Sequence, residues 1–421
     1  MAKLTPPEIK EVSNLKINQP IVSYLDNGIP VYDTRMGDQE VLKLEIIFDS
    51  GRPVEQKRLV SRLTNRLLKE GTQKYSGKKI AELFDYYGAT LQTPVNLDHA
   101  RVTLYTLKKH FEKLLPILKE LLSVPTFPED ELENLIARSK HRLAVDLSKS
   151  DTVAYRLVTE KIFGEGHYYG YNSNPELFDA LTQKDIKTHF KNFYGSNYCK
   201  IFISGKTDDS IVKKLNKTIG KILTPKEERK NEAPNIPICE KRQVVKTGGT
   251  VQTAIRIGCH LFNRKHPDYF GFSILNTVLG GYFGSRLIST IREEKGYTYN
   301  VYSLVDSLRY DGCFYISTEV GNEFVEPTIK GIYEEMDKLR NVPIDADELK
   351  MVRRYLLGNM LSMLDGPFNN SDVIRTMVTN DLEFSYFDNL VKTVKDISAA
   401  ELQALAQKYF QKEKMWEVVV G

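Results

Sequence analysis

Residues 181–194, LTQKDIKTHFKNFY, return 216 positions later as ISAAELQALAQKYF at 397–410. Two further pairs keep this spacing to within one residue. SVPTFPEDELENL (123–135) matches NVPIDADELKMV (341–352), where Asp130, Glu131 and Leu132 recur 217 positions on as Asp347, Glu348 and Leu349. CKIFISG (199–205) matches WEVVVG (416–421), again offset by 216. Each pair alone is weak, but their common order and near-constant offset make chance a poor explanation. The chain therefore reads as a duplicated unit, and its 421 residues suit two domains better than one.

The unit mixes helices and strands. VLKLEIIFDSG (41–51) is an apolar strand ending on glycine. The next stretch, 58–71, places Leu or Val at 59, 60, 63, 67 and 68, the helical period, with Gly71 as the expected C-cap. A second helix runs to Gly88, and RVTLYTLK (101–108) alternates as a half-buried strand does. Long amphipathic helices follow over 110–124 and 128–150, the second opening on Pro and acids, as helix N-termini favour. The helix at 181–194 and a strand at 200–205 close the unit. The expected fold is α+β, with two homologous sandwich domains around a shared cleft, each a mostly antiparallel sheet with helices packed on it. The expected limits are 1–224 and 241–421, joined by a charged, Pro-punctuated linker at 225–240.

Composition excludes several function classes. The net charge of +4 is too mild for nucleic-acid binding, and no Lys/Arg block is paired with base-stacking aromatics. No window holds 18 apolar residues, so no membrane-spanning helix is expected. Cys199, Cys239, Cys259 and Cys313 lie far apart and read as reduced, buried thiols. The opening stretch, MAKLTPPEIKEVSNLKINQP, carries no apolar core of a signal peptide, which points to the cytoplasm; a processed or engineered terminus would make the periplasm the alternative. The seven histidines include no pair at i, i+3 or i, i+4, and no GxSxG motif occurs.

The segment LGGYFGSRLISTIREEKGYTYNVYS (279–303) is the most specific motif. Gly280, Gly281 and Gly284 are expected to form a loop before a helix, and Gly296 to break that helix between Arg292 and Tyr299. A Gly-rich turn, then S-R-L, then R-E-x-x-G-x-x-Y resembles the C-terminal half of the insulinase/pitrilysin peptidases, which include the processing peptidases. The resemblance implies that Arg292 and Tyr299 bind substrate backbone and stabilise the oxyanion, with Gly280 and Gly281 beside the substrate. A guanidinium and a phenol supply suitable donors.

The same resemblance exposes a loss. Family members carry H-x-x-E-H on a helix of the first domain, ending in a Lys-Gly-Thr-like turn, with a third ligand Glu further along the chain. Lys69-Glu70-Gly71-Thr72 sets the register, which puts the motif positions at Arg62, Asn65 and Arg66. The family's spacing then puts the third ligand at Arg142. Arginine offers a metal no lone pair, so no cofactor is expected in this chain. The edge segment 88–98 departs as well: Gln92 replaces the family's Asn, and Pro94 removes a ladder donor.

Some bacterial members of the family work as heterodimers, one chain bringing zinc and its partner the Arg/Tyr pair. The expectation is therefore a non-zinc subunit of a metallopeptidase that cleaves peptides, with Arg292 and Tyr299 acting in trans on a homologous, zinc-bearing partner. The alternatives are an inert structural or assembly subunit, or a peptide-binding homodimer.

Overall fold

The computed structural model describes residues 12, 15–227, 242–247 and 251–421. Cys239, nearly all of the N-terminal segment and 228–240 of the expected linker lie outside the described residues.

The first half contributes strands β1 (Ile21–Tyr24), β2 (Pro30–Arg35), β3 (Val41–Phe48), β4 (Thr90–Gln92), β5 (Ala100–Leu107) and β6 (Cys199–Gly205). Its helices are α1 (Val60–Leu67), α2 (Gly77–Tyr86), α3 (Phe111–Ser123), α4 (Glu129–Leu147), α5 (Ser150–Phe163), α6 (Pro175–Asp179), α7 (Gln183–Phe193) and α8 (Asp209–Thr218). The second half supplies β7 (Arg242–Val245), β8 (Gln252–Leu261), β9 (Val301–Ser307), β10 (Gly312–Gly321) and β11 (Trp416–Val420). Its helices are α9 (Tyr269–Asn276), α10 (Val325–Asn341), α11 (Ala346–Met363), α12 (Gly366–Thr379), α13 (Ser385–Asp396) and α14 (Ala399–Tyr409).

Two sheets result, ordered β1-β2-β6-β3-β5-β4 and β7-β11-β8-β10-β9. Each contains one parallel pair, β2 with β6 and β7 with β11, and is otherwise antiparallel. Leaving out β1, the two orders superpose strand for strand, which is the duplication expected from the recurring offset. The repeat extends to the caps. Thr182 and Asp185 form a capping box at α7, and Ser398 and Glu401 form its counterpart at α14.

Two details differ from the sequence reading. Helix α1 ends at Leu67 and Gly71 does not cap it; the Gly71 carbonyl instead accepts the Thr126 amide at 3.0 Å, and Gly71 bridges Ser76. Gly280 and Gly281 do not sit in a loop before a helix. They end a π-helical turn, Thr277–Gly281, and Gly280 is packed so closely that a Cβ there would meet the Ser303 amide at 2.7 Å.

The halves also exchange helices. Helix α5 packs on β8 and β11 of the second sheet, and Ala154, Val158, Ile162 and Phe163 join that core. Its repeat counterpart, α12, packs on β6 and β2 of the first sheet. Amphipathic periodicity marks which face of a helix is apolar but not which sheet covers it.

Candidate functional site

Helix α1 is almost wholly buried. It starts after Leu59, whose left-handed backbone (φ 73°) turns the chain into the helix. Glu55 holds that turn: its Oε1 accepts the Ser61 amide at 3.0 Å and its Oε2 the Leu59 amide at 3.3 Å, while the Tyr171 hydroxyl donates to Oε2 at 2.6 Å. Burial raises this carboxyl above its ordinary pKa.

Asn65 stands where the resemblance places a catalytic Glu, and its hydrogen bonds leave no room for such a role. Its Nδ2 donates to the carbonyls of Pro94 at 3.0 Å and Arg101 at 2.9 Å, and its Oδ1 accepts the Tyr194 hydroxyl at 3.1 Å. The amide ties α1 to the β4–β5 edge and has no donor left.

Arg62 and Arg66 are one turn apart on α1, and Arg142 approaches them from α4. Burial, then the charges of Arg66, Arg52 and Arg142, lowers the pKa of Arg62; burial and Arg142 lower that of Arg66. The structure thus brings the three positions into one electrostatic cluster. Arg142 remains at the rim, with its side chain 79% exposed, 3.8 Å from Asp146. The residues present do not fit a zinc ion, because guanidinium and a saturated amide offer no ligand atom. Among the described residues no group of three His, Cys, Asp or Glu side chains is placed to hold a metal.

Beside α1 opens a cavity of about 780 Å³. The first half lines it with Arg52, Arg62, Arg66 and the loop from Pro94 to His99, and the second half with Arg264, Asp306 and Arg375 among others. This is the shared cleft expected between the halves. Pro94 is folded inward: its carbonyl accepts Arg101 N at 3.0 Å as well as Asn65.

Arg292 and Tyr299 lie elsewhere. Arg292 sits in a second π-helical segment, Ile288–Glu294, and Gly296 (φ +66°) reverses the chain before β9. The reversal brings the guanidinium carbon to 5.1 Å from the Tyr299 ring centroid and to 5.0 Å from that of Phe283. Tyr299 is 85% exposed and Phe283 64% exposed, and none of the three lines the cavity. The Thr298 hydroxyl, donating to the Glu319 carbonyl at 2.7 Å, fixes the loop. Sequence reasoning did not single out Phe283, whose only signal is its place inside the Gly-rich turn. Nor did it assign Arg286, which clamps Glu348 of α11 through two bonds of 2.9 and 2.8 Å.

Two family models match the chain. One, described as insulinase (peptidase family M16), covers residues 39–170, and the other, described as the peptidase M16 inactive domain, covers 180–356. The chain belongs to the insulinase family. An uncharacterized zinc protease YmxG of Bacillus subtilis is 23% identical over 361 residues, 84% of this chain and 86% of its own length. A Helicobacter pylori relative, named a non-peptidase homolog YmxG, is 23% identical over 71% of this chain and 70% of its own. The crystal structure of a peptidase M16 inactive domain from Pseudomonas fluorescens superposes with a TM-score of 0.87 at 24% identity, covering 96% of this chain and 98% of that one. No helix among the described residues is long and apolar enough to cross a membrane.

Proposed function

We propose that this chain is the non-zinc half of a two-subunit peptidase. It offers Arg292 and Tyr299, with Gly280 and Gly281 in the substrate-side turn that the family resemblance implies, to peptide held against a homologous subunit that carries H-x-x-E-H. One observation supports this reading most directly: Arg292 is held between two exposed aromatic rings on a face outside the chain's own cavity. A pair in that position is available to another molecule. In this reading zinc belongs to the partner, and the chain's own part is to bind the peptide backbone and stabilise developing negative charge. The repeat supports a division at 1–224 and 241–421.

The test mixes this chain with the zinc-bearing homologue from the same source and follows hydrolysis of short peptides. Arg292→Ala together with Tyr299→Phe is expected to lower kcat by about 100-fold, the usual size for a lost oxyanion donor, while the two chains still co-purify. Full activity in that variant would overturn the proposal. The second reading, an inert peptide-binding or assembly subunit, is favoured by the name of the Helicobacter relative. It predicts no hydrolysis by any mixture.

A further inference from the structure

We propose that the arginine-lined cavity beside α1 is a receptor for the carboxylates of an acidic peptide. The inference rests on peptide as the ligand class of the proposed function, but not on Arg292, Tyr299 or a partner.

The argument begins with unbalanced charge. Six arginines and three carboxylates line the cavity, and of the arginines Arg101 and Arg375 are already paired with Glu45 behind it, so the unbalanced charge is that of Arg62 and Arg66. Among the described residues neither Arg62 nor Arg66 has an ion pair or a hydrogen bond to a carboxylate, although both are partly withdrawn from water. Two of the three lining carboxylates are engaged elsewhere, and the third, Asp306, feels the charge of Arg264 rather than that of Arg62 or Arg66. Glu55 is held by two amides and the Tyr171 hydroxyl. Asp98 accepts the Tyr169 hydroxyl and, at 3.1 Å, the Arg309 amide. Like charges gathered at a half-buried site are unfavourable in the free chain, and an incoming anion relieves them.

The shape narrows the ligand. A cavity of about 780 Å³ holds a few residues of peptide and is large for a lone inorganic anion. Leu59, Val95, Leu97 and Leu308 give it apolar walls between the arginines. Binding by strand addition is closed off, because β4 has only three residues and the Pro94 carbonyl is already taken twice. Recognition therefore falls to side chains, and the guanidinium fork of Arg62 or Arg66 matches a carboxylate through two parallel bonds.

The experiment titrates the full chain, without partner, with hexaglutamate, hexaglutamine and inorganic phosphate, read by calorimetry. Hexaglutamate is expected to bind and hexaglutamine not to. Arg62→Gln with Arg66→Gln is expected to weaken hexaglutamate at least 10-fold, and Arg62→Lys with Arg66→Lys by an intermediate factor, since charge remains without the fork. Should the double Gln variant fail to fold, Arg66→Gln alone, at an exposed position, is expected to weaken binding several-fold. Unchanged affinity in the folded variant, equal binding of hexaglutamine, or phosphate binding without hexaglutamate would each overturn the inference. Because the readout is binding to the isolated chain, its failure is distinct from loss of hydrolysis in the two-chain mixture.

Discussion

Glu45 on β3 and Arg256 on β8 occupy equivalent places in the two sheets, carry opposite charges, and each holds the helix contributed by the other half. The equivalence follows from register: Glu45 pairs with Phe202 of β6, Arg256 pairs with Val418 of β11, and Phe202 and Val418 are counterparts in the repeat. Glu45 binds Arg375 of α12 at 2.7 Å, and Arg256 binds Asp151 in the first turn of α5. Both side chains are 1% exposed.

The two links are expected to respond differently to mutation. Removing the Glu45 charge takes Arg101 from its carboxylate and leaves Lys43, itself 3% exposed, and Arg375 to share Asp372 alone. Glu45→Gln should therefore cost about 3 kcal/mol or more. Asp151 is 48% exposed and water can solvate it, so Arg256→Met should cost less than about 1 kcal/mol. Urea unfolding of both variants measures the contrast, and equal losses would refute it.

Asn65→Asp tests the saturated amide. The substitution removes both donors to the Pro94 and Arg101 carbonyls and sets a carboxylate against them. A loss of about 2–4 kcal/mol is expected, with the 94–99 loop exchanging amide protons faster. A variant as stable as the parent would show that the amide is dispensable.

Gly280→Ala would place a methyl 2.7 Å from the Ser303 amide and 2.9 Å from Leu287 Cδ1. Backbone cannot yield as a flexible side chain does, so destabilisation of about 1–3 kcal/mol is expected. Gly88→Ala meets no neighbour within 4 Å but sits at φ +58°, so strain alone should cost it about 1 kcal/mol. Thermal melts of the pair separate crowding from strain.

Asp49 should dominate the acid limb of stability. Burial opposes its ionisation, but His99 at 3.3 Å, Lys200 at 2.8 Å and Arg309 at 2.9 Å outweigh that and hold the carboxyl well below its usual range. With the folded pKa depressed, this stabilisation is present above the unfolded value of ~3.9 and is lost as pH falls through the folded value. Asp49→Asn should cost about 3 kcal/mol at pH 7, and the gap to the parent should shrink below about pH 4. Urea midpoints at pH 7, 4 and 3 check the trend; a gap that widens in acid would contradict it.

The sequence by itself determined the duplication, the mixed helix-and-strand plan of each half, and the break at Gly296 between Arg292 and Tyr299. These rest on local signals: an offset that recurs, a hydrophobic period, a glycine where the backbone must turn left-handed. From the resemblance it also led to the expectation of a vacancy at Arg62, Asn65 and Arg66, with the Lys69–Thr72 turn setting the register. Only the tertiary structure decided that α5 and α12 change places, that Asn65 is consumed by two carbonyls and a tyrosine, and that Arg62 and Arg66 face a cavity without a carboxylate of their own. Each depends on contacts between residues far apart in the chain, where a side chain's character is known but its neighbour is not.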